Sequence, residues 1–481
     1  MKSSTIFRLL SIIIGGLTLL KLPSLVLAIV LGEYNMIRAF LVPLVPGLSL
    51  AFFSFFFIKK TSFGIRIRDG FLLVFLTWVF ASLAGSLPYY FSGLGISFSD
   101  AIFESTCGFS TTGATTFSDI EILPRSLLLW RSMSHWAGGM GIIVLTVALM
   151  PLLGIGGFQL FKAETPGPEK DKITPKITYT AKIIWGVYCI FTVILALLYR
   201  LGGMDWFDAF CHGFTIMATG GVSTKNSGFA FYDSAFIDWI TVVFMLIAAI
   251  NFNLYIRLFR LKFRDMAHNT EFKVFLIIFF VSAFIISLNL VSKYDSIADA
   301  IRIGTFQTAS IFTSTGNVRA DFTSWPFLSQ AVLFCLMFIG GCSGSTAGGL
   351  KVIRITVLFK QAVNELKRII YPQGVFSIQL NRKVGRKDVV YGVAGFVFIY
   401  FSVIALATIV TAAAGYDLSL SFNTAVSMTG NIGAGFGSGV LLQNFSSFPA
   451  PLKLFYSLIM IAGRLEFWAV VVLFTPQYWK R

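Results

Sequence analysis

Apolar runs of about 20 residues, the length a helix needs to cross a bilayer core, recur along the chain between short polar connections. They fall at residues 7–31, 36–58, 70–93, 127–152, 181–201, 235–257, 272–292, 327–339 with a continuation beyond Leu350, 389–414 and 451–474. After the first two runs one unit recurs four times: a membrane helix, a shorter half-apolar segment, a small polar turn and a second membrane helix. The short segment cannot span a bilayer. It opens with Asp100-Ala101-Ile102, Asp208-Ala209-Phe210, Asp299-Ala300-Ile301 and, more loosely, Asp417 ahead of Leu418-Ser419-Leu420. It ends in Thr111-Thr112-Gly113-Ala114, Thr219-Gly220-Gly221-Val222, Ser314-Thr315-Gly316-Asn317 and Asn431-Ile432-Gly433-Ala434. The expected fold is an all-α polytopic membrane protein: two N-terminal membrane helices (1–68), then repeats at 69–160, 161–265, 266–387 and 388–481.

Composition agrees with a bilayer as solvent. Of 481 residues 56% are hydrophobic and 12% charged, and mean hydropathy is +0.80, far from the balance of a soluble domain. A net charge of +16 could suggest nucleic acid, but its placement gives a simpler account. Basic residues collect in alternate connections: Lys59, Lys60, Arg66 and Arg68; Lys162, Lys170, Lys172, Lys176 and Lys182; Arg257, Arg260, Lys262, Arg264 and Lys273; and the stretch Lys351 to Lys387. The connections between them carry acids, among them Glu33, Asp100, Glu104, Asp119, Glu121, Asp205, Asp208, Asp233, Asp238, Asp295, Asp299, Asp321 and Asp417. This positive-inside pattern predicts cytoplasmic termini and an acidic outer face that attracts cations. Taken singly, the acids read as solvated surface or helix caps, and none is assigned an ion. The basic start and long first apolar run fit a retained helix better than a cleaved leader, because a second span follows at once.

The turns are where chemistry is expected. A short helix that stops in mid-membrane leaves its last carbonyls unpaired, and its negative dipole end favours a cation. Glycine lets the backbone beyond turn its carbonyls toward a common axis, where four loops can replace a dehydrated ion's water shell. One such turn would be an ordinary hairpin; four in the same frame are a construction. The last helix of the third repeat, from about Phe327 toward Ile370, is too long for one crossing unless interrupted, and Gly340 to Gly349 is the interruption. Irregular backbone at that depth is tolerated where protein or a wet cavity surrounds it, so this loop is expected beneath the turns as a movable barrier.

Other chemistries fare worse. Cys107, Cys189, Cys211, Cys335 and Cys342 form no C-x-x-C pair, and His135, His212 and His268 lack ligand spacing, so neither a disulfide framework nor a metal cofactor is expected. Gly341-Cys342-Ser343-Gly344 matches the nucleophile motif of intramembrane serine proteases, but the activating histidine would lie on a later helix and none follows His268. Gly154-Ile155-Gly156-Gly157 is not a nucleotide-binding motif. A carrier built on inverted repeats is disfavoured because each repeat begins after a basic connection, so the repeats share one orientation around a central pore.

The chain resembles the Trk/Ktr/HKT superfamily of potassium transporters over essentially its full length. The likeness rests on Ser105-Thr106-Cys107-Gly108-Phe109-Ser110-Thr111-Thr112-Gly113-Ala114-Thr115, on Ser134-His135-Trp136-Ala137-Gly138-Gly139-Met140-Gly141 and on Gly340-Gly341-Cys342-Ser343-Gly344-Ser345-Thr346-Ala347-Gly348-Gly349. The two extra N-terminal spans look like the Trk branch. The resemblance implies a four-fold pseudosymmetric pore and K+ uptake across a bacterial inner membrane. It also implies a homodimer and a separate cytosolic nucleotide-binding regulatory ring (TrkA-like). Potassium would be the transported ion, with no cofactor in this chain and no nucleic-acid partner; cation-coupled symport on the same fold is the alternative. Carried across residue by residue, the filter comprises Thr111, Thr112 and Gly113; Thr219, Gly220 and Gly221; Thr315, Gly316 and Asn317; and Asn431, Ile432 and Gly433. Glycine at all four central positions looks like the potassium-selective members, and the fourth turn departs most from the pattern. The gate comprises Gly340, Gly341, Ser343, Gly344, Ser345, Thr346, Gly348, Gly349 and Arg464, the resemblance placing Arg464 in the pore beside the loop. A pair between Arg464 and Glu466 is the bland alternative, weakened because positions two apart on a helix face different ways.

Overall fold

The computed structural model describes residues 3–58, 67–144, 173–259, 261, 263–381, 383–384, 387–435 and 444–480. Lys59, Lys60, Arg66, Lys162, Lys170, Lys172, Arg260 and Lys262 of the basic connections lie outside these residues, as do Gly154 to Gly157 and the expected end of the 127–152 span. Among the described residues six helices are long and apolar enough to cross a membrane, or eight if each of two bent pairs counts as one span. The protein is an all-helical polytopic membrane protein apart from a two-stranded hairpin, Gln379–Leu380 against Lys383–Val384. Large apolar side chains stay exposed along the outer faces, among them Val30, Phe56, Phe280, Phe284 and Phe398, as expected of surfaces that meet lipid rather than water.

The N-terminal helices Ser3–Leu19, Leu22–Leu31 and Tyr34–Phe57 pack together and onto the first repeat. Two polar contacts fasten them. Lys21, buried, donates from Nζ to the Ala84 carbonyl at 2.8 Å, and the Glu33 carboxylate accepts from the backbone N–H groups of Arg125 (3.0 Å) and Ser126 (3.2 Å). Glu33 thereby occupies the free amides of the helix Arg125–Val144, where a negative charge is favoured.

The four repeats are then seen directly. Their first helices are Ile67–Tyr90, Ile173–Leu201, Thr270–Leu290 and Lys387–Ala413, and their short helices are Phe98–Ser110, Trp206–Met217, Ile297–Phe312 and Leu418–Thr429. The second helices are Arg125–Val144, Ala235–Ala249, Phe327–Ile339 and Ala450–Arg464. Each short helix lies against the first helix of its own repeat. Each second helix packs on the short helix of the next repeat, and the fourth packs on the short helix of the first, so the order closes into a ring. The short helices start with caps, Ser97, Asp205, Ser296 and Asp417, whose side chains accept from backbone amides in the first turn; each such cap stabilises a helix by about 1 kcal/mol. This corrects the expected alignment: Asp417 and Asp205 are caps, whereas Asp100, Asp208 and Asp299 stand one turn inside.

Two apolar runs expected to be single spans are not straight. Ala235–Ala249 meets Phe252–Leu258 at 97°, and Ala450–Arg464 meets Trp468–Phe474 at 112°. With the interruption between Ile339 and Val352, the second helices of the second, third and fourth repeats break within the described residues.

Candidate functional site, a ring of four turns

Each short helix ends in the same way. Thr111, Thr219, Ser314 and Asn431 take left-handed backbone angles, with φ of 54°, 52°, 52° and 52°. Their amides bond back to the carbonyls of Gly108, Ile216, Ile311 and Met428, and the next amides, of Thr112, Gly220, Thr315 and Ile432, bond to Cys107, Thr215, Ser310 and Ser427 at 2.8–3.0 Å. This paired closure is a Schellman motif, which glycine ordinarily completes. A β-branched threonine in that conformation is strained, and strain of this kind persists where the surroundings over-determine it. Side chains explain two of the substitutions. Ser314 Oγ accepts from the Gly348 amide at 2.5 Å, and Asn431 Nδ2 donates to Thr112 Oγ1 and to the Met460 carbonyl, both at 3.0 Å.

Two residues further on stand Gly113, Gly221, Gly316 and Gly433, with φ of 81°, 68°, 77° and 82°. A Cβ on Gly113 would run into the carbonyl oxygen of Gly220, one on Gly221 into that of Thr315, one on Gly316 into that of Ile432 and one on Gly433 into that of Thr112. Glycines and carbonyls therefore alternate around a closed ring, each repeat's glycine against the carbonyl that precedes the next repeat's glycine. Both the φ and the close approach demand glycine. Gly433 takes its place with the other three, so the turn that departs most in sequence keeps the common geometry. In the third turn the residue equivalent to Thr111, Thr219 and Asn431 is Ser314, one position earlier than the sequence reading placed the start of the set.

The interrupting loop of the third repeat packs against this ring. A Cβ on Gly348 would meet the Gly430 carbonyl at the base of the fourth turn. The loop also gathers the other broken helices: Cys342 N–H donates to the Ala249 carbonyl at 2.8 Å, Thr346 Oγ1 to the Ala248 carbonyl at 3.0 Å, and Phe252 N–H to the Gly344 carbonyl at 3.1 Å. Ser343 N–H donates to Glu271 Oε1 at 2.6 Å, a buried carboxylate that sequence reading did not single out. Arg464, 3% exposed, donates from Nη1 to the Thr346 carbonyl at 2.5 Å, while its Nε and Nη2 have no partner among the described residues. Arg464 does not pair with Glu466. That carboxylate bonds Arg354 instead, whose guanidinium also lies over the Phe396 ring at 3.8 Å. Lys351 and Arg354, which open the basic stretch Lys351 to Lys387, are both buried at this junction.

Residues 48–481 match the family model TrkH, described as a cation transport protein. The chain is 36% identical, over 99% of both sequences, to the Trk system potassium uptake protein TrkH of Halomonas elongata. The chain belongs to the TrkH family. The Escherichia coli K12 protein of the same name is 39% identical over 88% of each chain. The crystal structure of the potassium transporter TrkH from Vibrio parahaemolyticus superposes with a TM-score of 0.92 at 34% identity, covering all of both chains. This is a transport family and not an enzyme family, and the serine-protease reading of Ser343 ends there.

In this TrkH-family chain the sequence reading picked out the glycines and the loop but missed Ser314, Glu271 and the breaks after Ala249 and Arg464. The signal for Ser314 was its place two residues before a glycine. The breaks are marked only by polar residues within apolar runs, Asn251 and Asn253 at the first and Arg464 and Glu466 at the second.

Proposed function

We propose that this chain takes up potassium by passive conduction through the ring, in which Thr111, Thr112, Gly113, Thr219, Gly220, Gly221, Thr315, Gly316, Asn431, Ile432 and Gly433 form the filter, with Ser314 completing the third turn in place of Asn317. The observation that carries the reading is the closed alternation of four glycines with four carbonyls, because carbonyl rings at the ends of membrane-embedded short helices are what replaces an ion's hydration shell. The loop Gly340–Gly349 is the gate. It lies against the third and fourth turns through Ser314 and Gly430, where its displacement opens the path. Arg464 adds a fixed positive charge beside the loop that repels cations at rest. The K+ ion is cargo, and the relatives named for potassium uptake support that choice.

The same reading places the protein in the bacterial inner membrane with both termini in the cytoplasm, supported by the alternation of basic and acidic connections. It divides the chain at 68, 160, 265 and 387. It includes a homodimer and a cytosolic nucleotide-binding ring as regulator, since the relatives are named as parts of a Trk system. The test is uptake into proteoliposomes of K+, Rb+ and Na+ at imposed potentials and pH gradients. Flux of K+ and Rb+ that follows the potential alone, with Na+ excluded, is expected; K+ flux that needs a proton or sodium gradient overturns passive conduction in favour of symport.

A further inference from the structure

Nine residues before each ring glycine, on the short helix, stand Glu104, His212, Gln307 and Thr424. All four are buried, with exposures of 1%, 0%, 0% and 2%. They share a position and differ in chemistry. Three reach across to the segment that leaves the ring. Glu104 Oε1 accepts from Thr115 Oγ1 at 2.6 Å and from Thr116 N–H at 2.5 Å, while Oε2 faces Arg131 Nε at 3.3 Å. Gln307 Oε1 accepts from Arg319 N–H at 3.3 Å, and its Nε2 lies 3.4 Å from the Asn317 carbonyl. His212 Nε2 lies 2.9 Å from Ser223 Oγ, and its Nδ1 lies 2.8 Å from the Asp208 carbonyl. A carbonyl has no proton to give, so Nδ1 carries a hydrogen; in a neutral ring Nε2 then accepts from the serine hydroxyl. The imidazole is a strut between the short helix and Ser223, held by Phe229 and Tyr232 with ring centroids at 5.0 and 5.5 Å.

We infer that Glu104, His212 and Gln307 are positioning residues for selectivity, each tying the segment one to three residues past a ring glycine, through its backbone or a side-chain hydroxyl, to the short helix of the same repeat. The inference rests on reading the ring as the filter. A carbonyl ring discriminates between ions only while the number and spacing of its oxygens are held, and the glycines cannot hold themselves. The second repeat offers the cleanest dissection, because its strut is one side-chain contact and carries no buried ion pair. The third repeat already uses an amide at the same position. A glutamine at position 212 should therefore serve where a leucine does not.

The experiment measures the K+/Na+ permeability ratio in proteoliposomes for wild type, Ser223→Ala, His212→Leu, His212→Gln and the double variant Ser223→Ala/His212→Leu. Ser223→Ala and His212→Leu should each lower the ratio about threefold or more, and the double variant no further, as for two ends of one contact. His212→Gln should stay near wild type. Because Ser223 Oγ also accepts from the Lys225 N–H at 3.0 Å, Ser223→Ala is read beside His212→Gln; if His212→Leu does not fold, His212→Ala takes its place. A wild-type ratio in folded Ser223→Ala or in a folded His212 variant that cannot bond Ser223 overturns the strut while leaving the filter in place. A wild-type protein that does not prefer K+ overturns both.

Discussion

Arg464 donates a hydrogen bond from Nη1 to the carbonyl oxygen of Thr346, joining the bend of the last helix to the middle of the loop that interrupts the third repeat. The contact spans two repeats, two residues from Gly348, which touches the third and fourth turns. Two of the three guanidinium nitrogens, Nε and Nη2, have no acceptor among the described residues, an arrangement that costs free energy in a buried site and persists where the charge has another use.

Replacing that charge should open the path. Arg464→Ala is expected to raise K+ flux several-fold while leaving the K+/Na+ preference near wild type, because no ring carbonyl is touched. Flux assays on purified, stable protein check this. A variant that conducts no faster than wild type makes Arg464 a structural residue.

The loop itself gives a second expectation. Deleting residues 343–346 removes the contacts to Glu271, Ala248 and Arg464, and the shortened loop should no longer cover the third and fourth turns. K+ flux should rise above that of Arg464→Ala. A folded deletion variant with wild-type flux would remove the gate.

The Arg354 and Glu466 pair should behave differently, as a fastener. Glu466→Gln leaves a buried guanidinium without its counter-charge, at a cost of about 3–5 kcal/mol for such pairs. The midpoint of thermal unfolding in detergent is expected to fall clearly, and an unshifted midpoint would show that the Phe396 face suffices to hold Arg354.

Much of the fold could be read from sequence because the bilayer imposes length and polarity on each helix, and because the unit repeats. Gly113, Gly221, Gly316 and Gly433 were legible for the same reason: only glycine tolerates both the backbone angle and a neighbouring carbonyl at that spot. What was hidden depends on contacts between distant residues. The bend after Ala249 is held by Gly344 and Cys342, about ninety residues away, through bonds to backbone groups that side-chain identity does not report. Ser314 stood opposite Thr111 in the aligned turns but was left out of the filter set, which took Thr315, Gly316 and Asn317; its left-handed backbone, shared with Thr111, Thr219 and Asn431, restores it. Glu104 read as an outer acid; its burial against Arg131, Thr115 and Thr116 emerges only when the second helix folds back over the short one.

The central claim is that the four glycines act as one selective ring. Its most direct test is the K+/Na+ permeability ratio of Gly113→Ser, Gly221→Ser, Gly316→Ser and Gly433→Ser, one substitution at a time in reconstituted protein. A side chain at any of these positions meets the next repeat's carbonyl, so each variant should lose selectivity, by roughly tenfold if the displaced carbonyl weakens discrimination by about 1.4 kcal/mol. Equal standing of the four is the prediction. Folded variants that all keep the wild-type ratio would contradict it.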